Sequence, residues 1–257
     1  MTHNGKSLGL ALGGGASRGL AHLGVLAELR DAEIAIDVIA GTSVGALVGA
    51  LICGGVPLDT LIEMAPRVSW LSLARPVQPK RGFLGLDRLE RWVTMMIGER
   101  TFADLDKPLA VVATDLDCGE RVIINQGPVG PAVCASCSVP FFFEPVQIGE
   151  RMLVDGGIID NVPVRAAREL GADFVIASDV FEPDYKRPFG PLGSGLAAIE
   201  TLVRHAGGGV NDADFLIQPQ LADQSYVRLT QCLDAIGRGR HAARSNIHSL
   251  LRALETA

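Results

Sequence analysis

The chain has 257 residues, 48% of them hydrophobic and 20% charged, enough to bury one substantial core in one domain or at most two. Its formal net charge of −6 argues against a nucleic-acid-binding protein, because neutralising phosphates requires a basic face. No apolar run reaches the roughly 18–20 residues that a membrane-spanning helix needs.

The N-terminal segment and the cysteines both predict a cytoplasmic protein. The apolar run Leu8–Leu12 is interrupted early by Gly13–Gly15 and Arg18, which is not the pattern of an export signal. The five cysteines are scattered, and Cys134 and Cys137 form a lone C-x-x-C with no histidine close by in the sequence. We therefore expect buried, reduced cysteines and no metal site.

Strand-like apolar runs alternate with helix-like segments along most of the chain. The predicted strands are Ser7–Leu12, Ile36–Ala40, Leu109–Thr114, Arg121–Ile124, Met152–Val154, Phe174–Ser178 and Phe215–Ile217. The predicted helices run from Gly15 to about Ala32, over Val44–Cys53, from about Pro163 to Leu170, and from about Gln231 to Leu254. This alternation predicts a largely parallel sheet covered by helices on both faces.

Two proline-rich stretches, Pro66–Gly85 and Pro183–Gly195, are predicted surface loops, and loops of this length often act as lids. Without an internal repeat or a convincing boundary, we expect residues 1–257 to form a single domain. The C-terminal helix carries arginines on or near a polar face, which favours a solvated surface and leaves contact with anionic lipid as a second interpretation. These arginines are Arg238, Arg240, Arg244 and Arg252.

A G-T-S-V-G motif around Ser43 is the first candidate for catalytic chemistry. The β-branched strand Ile36–Ala40 leads into it and a small-residue helix follows, which is the strand–turn–helix context of a nucleophile elbow. The flanking Gly41 and Gly45 permit a strained turn, and the helix N-terminus favours a developing oxyanion. In the alternative interpretation, Ser43 or Thr42 is only the N-cap of the helix.

The G-G-G-A-S-R-G segment Gly13–Gly19 also follows a predicted strand and opens a helix. Successive glycine amides there can form either a phosphate cradle or an oxyanion hole. The spacing is not the Rossmann fingerprint, no acidic residue follows the second strand to bind a ribose, and no Lys-Ser/Thr follows as in a P-loop. An oxyanion hole facing Ser43 is therefore favoured. Arg18 could add positive field or hold a loop.

Asp155, Gly156 and Gly157 end a third predicted strand, where a carboxylate can approach the serine without crowding. The alternative is an ordinary Asp-Gly turn. Asp160–Pro163 is typical of a helix cap with proline in the first turn, and we assign it to structure.

Histidine does not complete an evident catalytic triad. His22 lies one turn after Arg18 and could support the glycine segment. The order Ser43, Asp155, His205 would fit an α/β-hydrolase, but there the elbow usually follows several earlier strands. Without a histidine, Asp155 must itself accept the serine proton, which requires a desolvated carboxylate with a raised pKa.

Four ordered blocks together resemble the patatin-like phospholipase family over roughly residues 7 to 180. The blocks are G-G-G-A-S-R-G, G-T-S-V-G-A-L, A-S-C-S-V-P at Ala135–Pro140, and D-G-G. Four blocks in this order are far more specific than any one alone.

The resemblance implies a three-layer α/β/α fold with a mainly parallel central sheet and a Ser-Asp dyad that needs neither metal nor cofactor. It makes Ser43 the nucleophile and Asp155 its base, with an acyl-enzyme intermediate. It assigns the oxyanion hole to Gly14, Gly15 and Ala16, with Arg18 alongside. The supporting glycines of the elbow and the aspartate block are Gly41, Gly45, Gly156 and Gly157.

A lipid ester is the partner that this resemblance implies, and whole phospholipids, lysophospholipids and simple lipid esters all fit it. The expected location is the cytoplasm, with peripheral contact at the inner face of the membrane left open. One alternative is a non-catalytic regulatory protein that keeps the fold, which the intact Ser43 and Asp155 disfavour. A nucleotide-binding protein is disfavoured by the missing ribose and phosphate motifs.

Overall fold

The computed structural model describes residues 5–68, 70–79, 81–182, 190–206, 209–224 and 231–256. The strands of these residues are β1 (Leu8–Leu12), β2 (Val38–Thr42), β3 (Arg75–Pro76), β4 (Leu84–Gly85), β5 (Leu109–Asp115), β6 (Arg121–Ile124), β7 (Val146–Ile148), β8 (Arg151–Asp155), β9 (Phe174–Ser178) and β10 (Phe215–Ile217). The α-helices are α1 (Ala21–Asp31), α2 (Val44–Cys53), α3 (Leu58–Met64), α4 (Trp70–Leu73), α5 (Asp87–Ile97), α6 (Val129–Ser136), α7 (Val164–Glu169), α8 (Gly190–His205) and α9 (Cys232–Thr256).

The main sheet has the order β10-β9-β1-β2-β5, all parallel, and continues with antiparallel β8 and β7. The side chains of β1 alternate between two cores. Leu8, Leu10 and Leu12 pack in a core with α1, α2 and α9, whereas Ala11 packs with α7 on the other face. Helices therefore cover both faces, and the predicted three-layer α/β/α fold with a mainly parallel sheet is confirmed.

The two edges of β5 are shared by three strands. β6 runs antiparallel along one edge and pairs with both Val112 and Ala113. Since a strand residue has only two sides, β2 and β8 must share the opposite edge. There Thr42 of β2 lies opposite Val112, and Asp155 of β8 lies opposite Ala113. The C-terminal ends of β2 and β8 thus meet at adjacent positions of β5.

Several boundaries differ from the sequence prediction. The second strand begins at Val38 and continues to Thr42, because Gly41 and Thr42 pair with the neighbouring strands. The predicted loop Pro183–Gly195 is wrong from Gly190 onward, where α8 begins, and residues 183–189 lie outside the described residues.

Several helices and strands of the structure were not predicted from the sequence. Pro66–Gly85 is not a simple loop, since it includes α4 and the β3–β4 ladder, and Leu73 and Ala74 are buried. The helices α3, α5 and α6 and the strand β7 have no counterpart in the sequence prediction. Four cysteines are buried as expected, but Cys118 is exposed in the β5–β6 turn. In the described part of the chain, no helix is both long and apolar enough to cross a membrane.

The C-terminal helix α9 lies directly against α1. A Cβ on Gly24 would lie 2.0 Å from the Ile236 carbonyl oxygen, and one on Gly239 would lie 2.0 Å from the Ala21 carbonyl oxygen. Arg244 adds a bidentate ion pair with the largely buried Glu28, at 2.8 and 2.9 Å. Small residues on both helices therefore set how closely the C-terminal segment docks.

We expect Gly239→Ala to destabilise the protein by about 1–3 kcal/mol, because the added methyl group forces α9 away from the backbone of α1. Gly237→Ala is the matched control in the same helix, since no atom of the described residues lies within 4 Å of its Cβ position. It should stabilise the protein by up to about 1 kcal/mol through helix propensity. Urea denaturation of both variants measures the difference, and equal effects would contradict the proposed close contact.

Candidate active site

Ser43 lies in a strained turn between β2 and α2. Its backbone has φ 54° and ψ −123°, a left-handed conformation that non-glycine residues rarely adopt. The turn is held from both sides, because the Ser43 amide donates to Ser136 Oγ at 2.8 Å and the Leu47 amide donates to the Ser43 carbonyl at 3.1 Å. This geometry matches the predicted nucleophile elbow.

The hydroxyls of the elbow do not cap α2. Ser43 occupies the N-cap position, but its side chain makes no capping hydrogen bond. Thr42 Oγ1 instead donates to the Asp160 carbonyl at 3.0 Å. The interpretation of Ser43 or Thr42 as a simple helix cap is therefore wrong, and the Ser43 hydroxyl remains for other chemistry.

Asp155 reaches Ser43 through the shared edge of β5. The residue is 5% exposed, and its carboxyl lies within hydrogen-bonding reach of the Ser43 hydroxyl and accepts a hydrogen bond from the Gly157 amide at 2.7 Å. Burial raises the pKa of Asp155 to about 6, although the hydrogen bonds from Ser43 and Gly157 oppose the rise. The carboxyl is thus a stronger base than an ordinary aspartate and is ionised at neutral pH.

Two of the predicted supporting glycines let the chain cross other backbone closely. A Cβ on Gly156 would lie 2.3 Å from the Val112 carbonyl oxygen, and one on Gly45 would lie 2.1 Å from the Leu12 carbonyl oxygen. Gly45 brings the start of α2 against the end of β1, and Gly156 carries the chain across β5. Any side chain at either position would push the two candidate catalytic groups apart.

The glycine segment contacts Ser43, but Gly14 does not offer its amide to an oxyanion. A Cβ on Gly14 would lie 3.3 Å from the Ser43 Cβ, so the two residues are neighbours. The Gly14 amide, however, donates to the Asn161 carbonyl at 3.1 Å. The expectation that Gly14 is an oxyanion donor is therefore corrected, because this donor is already satisfied.

For Gly15 and Ala16, the oxyanion role stays a prediction. Within the described residues, neither backbone amide donates to a protein acceptor. Ala16 is exposed and has a positive φ of 49°, and it begins the 3-10 turn Ala16–Leu20. These two amides directly follow Gly14, the neighbour of Ser43, and remain candidates for an oxyanion hole.

Arg18 lies elsewhere than beside an oxyanion. Its side chain is fully buried, and the guanidinium donates to the backbone carbonyls of Gln224, at 2.7 and 2.9 Å, and of Glu182 and Ala222. The expected placement alongside the oxyanion is corrected, and the hydrogen bonds support the other interpretation, that Arg18 holds a loop. It ties the glycine segment to the C-terminal part of the chain.

His22 supports the glycine segment as the sequence suggests. Its ring nitrogens lie 2.8 Å from the Gly13 carbonyl oxygen and 2.9 Å from Ser178 Oγ. Complete burial lowers the pKa of His22 to about 4, so the ring is neutral at physiological pH. A neutral ring donates with one nitrogen and accepts with the other, which suits a carbonyl on one side and a hydroxyl on the other.

The A-S-C-S-V-P block supplies residues that the sequence analysis left without roles. Ser136 accepts the Ser43 amide and donates to the Val112 carbonyl at 2.6 Å, so it joins the elbow to β5. The Ser138 carbonyl accepts the Asp155 amide at 2.9 Å. Cys137 lies within hydrogen-bonding reach of Ser43, and burial raises the pKa of its thiol, which therefore stays protonated.

The helix-cap interpretation of Asp160–Pro163 is wrong. No side chain caps α7, whose N-cap is Pro163. Asp160 instead forms a buried ion pair with Arg121 at 2.5 Å, and Asn161 contacts Gly14 twice, through its carbonyl and through its side-chain amide at 3.4 Å. This segment therefore fixes both loops of the site.

The remaining sequence candidates lie outside the site. His205 is exposed at the end of α8, and within the described residues no hydrogen bond joins it to Ser43 or Asp155. No group of three His, Cys, Asp or Glu side chains in the described segments could hold a metal ion. Three arginines of α9 form ion pairs within the protein: Arg238, Arg240 and Arg244. Their positive charges are therefore largely neutralised and less available for contact with anionic lipid.

Comparison with known proteins identifies a family and relatives of this chain. The model of the patatin-like phospholipase family matches residues 10–168. An uncharacterized NTE family protein of Mycobacterium tuberculosis is 36% identical over 171 residues, which are 65% of this chain and 47% of that protein. Lysophospholipase NTE1 of Pyricularia oryzae is 30% identical over 202 residues, 76% of this chain and 13% of that protein. The chain thus spans less than half the length of these curated relatives.

Solved structures share the fold well beyond the family match. VipD from Legionella pneumophila has a TM-score of 0.59 at 14% identity, covering 95% of this chain and 67% of that chain. The type III effector protein ExoU has a TM-score of 0.54 at 15% identity, covering 98% of this chain and 54% of that chain. At this coverage, the common fold extends past residue 168.

Asp155→Asn should stabilise the protein at alkaline pH. Because the folded state raises the pKa of Asp155 from 3.8 to about 6, the wild type loses stability as pH rises through this range, by about 3 kcal/mol in total. The neutral amide avoids this loss. We expect the variant to melt at a higher temperature than the wild type at pH 8 and at nearly the same temperature at pH 3.5. A lower melting temperature of the variant at both pH values would contradict the assigned pKa.

Proposed function

Since this chain belongs to the patatin-like phospholipase family, we propose that it is a serine acyl hydrolase that cleaves fatty acyl esters of phospholipids, lysophospholipids or related lipids. The observation that carries the proposal is the contact between the strained Ser43 and a buried Asp155 with a raised pKa. The two unpaired amides of Gly15 and Ala16 support acyl transfer, because they can stabilise a negative oxygen.

In the acylation step, Ser43 Oγ attacks the carbonyl carbon of the ester as its proton passes to the Asp155 carboxylate. The carbonyl oxygen becomes negative and accepts hydrogen bonds from Gly15 and Ala16 at the start of the 3-10 turn. The bond to the alcohol then breaks, and the departing oxygen takes the proton from Asp155. The acyl group remains as an ester on Ser43.

In the deacylation step, a water molecule attacks the acyl carbon and gives its proton to Asp155. The second tetrahedral intermediate is stabilised by the same two amides. Its collapse breaks the bond to Ser43 Oγ, which regains a proton from Asp155, and the fatty acid leaves. One carboxyl thus acts as base and then as acid in each half of the cycle, and a pKa of about 6 suits both tasks near neutral pH.

The proposed catalytic unit is a single domain over residues 1–257. Two contacts of the segment that follows the family match support this proposal. The helix α9 docks on α1, and Arg18 donates hydrogen bonds to the carbonyls of Ala222 and Gln224. The lipid substrate class is supported by the family and by the similarity to a protein named a lysophospholipase.

Hydrolysis of p-nitrophenyl esters should be abolished in both Ser43→Ala and Asp155→Asn, because each removes one partner of the proton transfer. Asp179→Asn is the matched control, since Asp179 is also a buried carboxyl just after a strand and also accepts the amide two residues on, at 2.9 Å. The control should keep its activity and its labelling by a fluorophosphonate. A wild type that neither hydrolyses esters nor becomes labelled would refute the function and favour a non-catalytic binding protein.

The kcat/KM of the wild type should fall tenfold per pH unit below about pH 6, because only the ionised Asp155 can accept the serine proton. His22, with a pKa of about 4, stays neutral over this range and does not contribute. Initial rates between pH 4.5 and 8.5 measure the profile. A kcat/KM that stays constant down to pH 5, as expected for an ordinary carboxyl, would contradict the role given to the buried Asp155.

A further inference from the structure

An apolar cavity of about 60 Å³ lies beside the nucleophile elbow, between α1, α2, α3 and α5. We infer that this cavity holds the acyl chain of the ester and limits its length to about six to eight carbons. The inference rests on the proposed acyl hydrolase function and specifies its substrate. Three observations carry it: the position of the cavity along α2, the chemistry of its walls and its volume.

The cavity follows one face of α2 away from the nucleophile. Four residues of α2 line the cavity at the i, i+3, i+4 and i+7 positions, which share one helix face: Val44, Leu47, Val48 and Leu51. Val44 directly follows Ser43 in the sequence. With a rise of 1.5 Å per residue, the face from Val44 to Leu51 extends roughly 10 Å along the helix. An alkyl chain of an ester at Ser43 therefore starts next to the Val44 end of this apolar face.

A second wall residue connects the cavity to the segment of the candidate oxyanion hole. Leu20 lines the cavity and ends the same 3-10 turn that begins at Ala16. A carbonyl bound between Ser43 and the amides of Gly15 and Ala16 thus has cavity-lining residues on both adjoining segments. The acyl chain is the part of the ester that can enter there while the carbonyl carbon stays at Ser43.

The walls exclude the polar part of a lipid. Among the residues that the structure describes, every lining side chain is aliphatic, a thioether or the indole of Trp92, and none is charged. Moving a phosphate or an ammonium group into such a space without a partner would cost several kcal/mol. A hydrocarbon chain gains about 0.8 kcal/mol for each methylene that it buries. The cavity therefore selects the acyl chain and leaves the head group outside.

The volume sets the length. A water-sized group needs about 10–15 Å³ by this measure, so 60 Å³ accommodates about four to six methylene-sized groups. With the carbonyl carbon at Ser43 and one further carbon at the entrance, the chain that fills the cavity has about six to eight carbons. Longer chains must displace Met64 and Trp92, which are only partly buried.

The test measures kcat/KM for p-nitrophenyl octanoate and for p-nitrophenyl acetate, and compares the octanoate-to-acetate ratio between variants. Leu51→Phe should lower this ratio at least tenfold, because the ring occupies the far end of the cavity. Leu51→Ala should move the optimum about two carbons longer and keeps the test valid if the larger residue prevents folding. Leu250→Ala is the control, since Leu250 is a buried leucine of the same core on α9 that does not line the cavity. Its ratio should equal that of the wild type.

A ratio and an optimum that do not change in the Leu51 variants, in enzyme that still hydrolyses the acetyl ester, would overturn the cavity assignment and leave the proposed function intact. An optimum of sixteen or more carbons in the wild type would overturn the length limit. The absence of both ester hydrolysis and fluorophosphonate labelling in the wild type would overturn the proposed function and this inference with it.

Discussion

The site depends on the way two strands share one edge of β5. Because β6 occupies the other edge, the C-terminal ends of β2 and β8 meet beside Val112 and Ala113, although 113 residues separate Thr42 from Asp155 in the chain. β8 is antiparallel to β5, so it arrives from beyond the end of β5 and stops at the elbow. A one-residue slip would turn Asp155 to the opposite face of the sheet. The contact between Ser43 and Asp155 is thus a consequence of strand register.

The loops around Ser43 are held by satisfying nearly all of their buried polar groups. The Gly14 amide donates to the Asn161 carbonyl, and the Gly13 carbonyl is hydrogen-bonded to the His22 ring. The Ser43 amide donates to Ser136 Oγ. Leaving such groups unpaired in the interior would cost about 1–3 kcal/mol each. The amides of Gly15 and Ala16 are left over at the surface of this network. A rigid frame with two unsatisfied donors is preorganised for a charge that develops only during reaction.

The C-terminal part of the chain contributes to this frame without carrying a recognisable motif. Arg18 leaves the glycine segment and donates to the carbonyls of Ala222 and Gln224, so its charge is used to fix one segment against another. Three of the four arginines of α9 are likewise paired with acidic residues of α1 and of the segment before α9. Because α9 packs against α1, the helix that follows the glycine segment has its position set from both sides. The basic surface expected from the arginines of α9 is thereby largely neutralised.

The sequence by itself determined the strands β6 and β9 and the helix α2 to the residue, because each has an apolar pattern with turn residues at its ends. The bounds of β10 were also predicted correctly, from a weaker pattern. It also determined the elbow around Ser43 and the candidate partner Asp155, since glycine-flanked motifs after strands are local signals. Only the tertiary structure decided which amides stay free. The partner of Gly14 is Asn161, 147 residues away, and that of Arg18 lies more than 160 residues away. Local patterns describe which groups can donate or accept, whereas the packing of distant segments decides where each hydrogen bond is made.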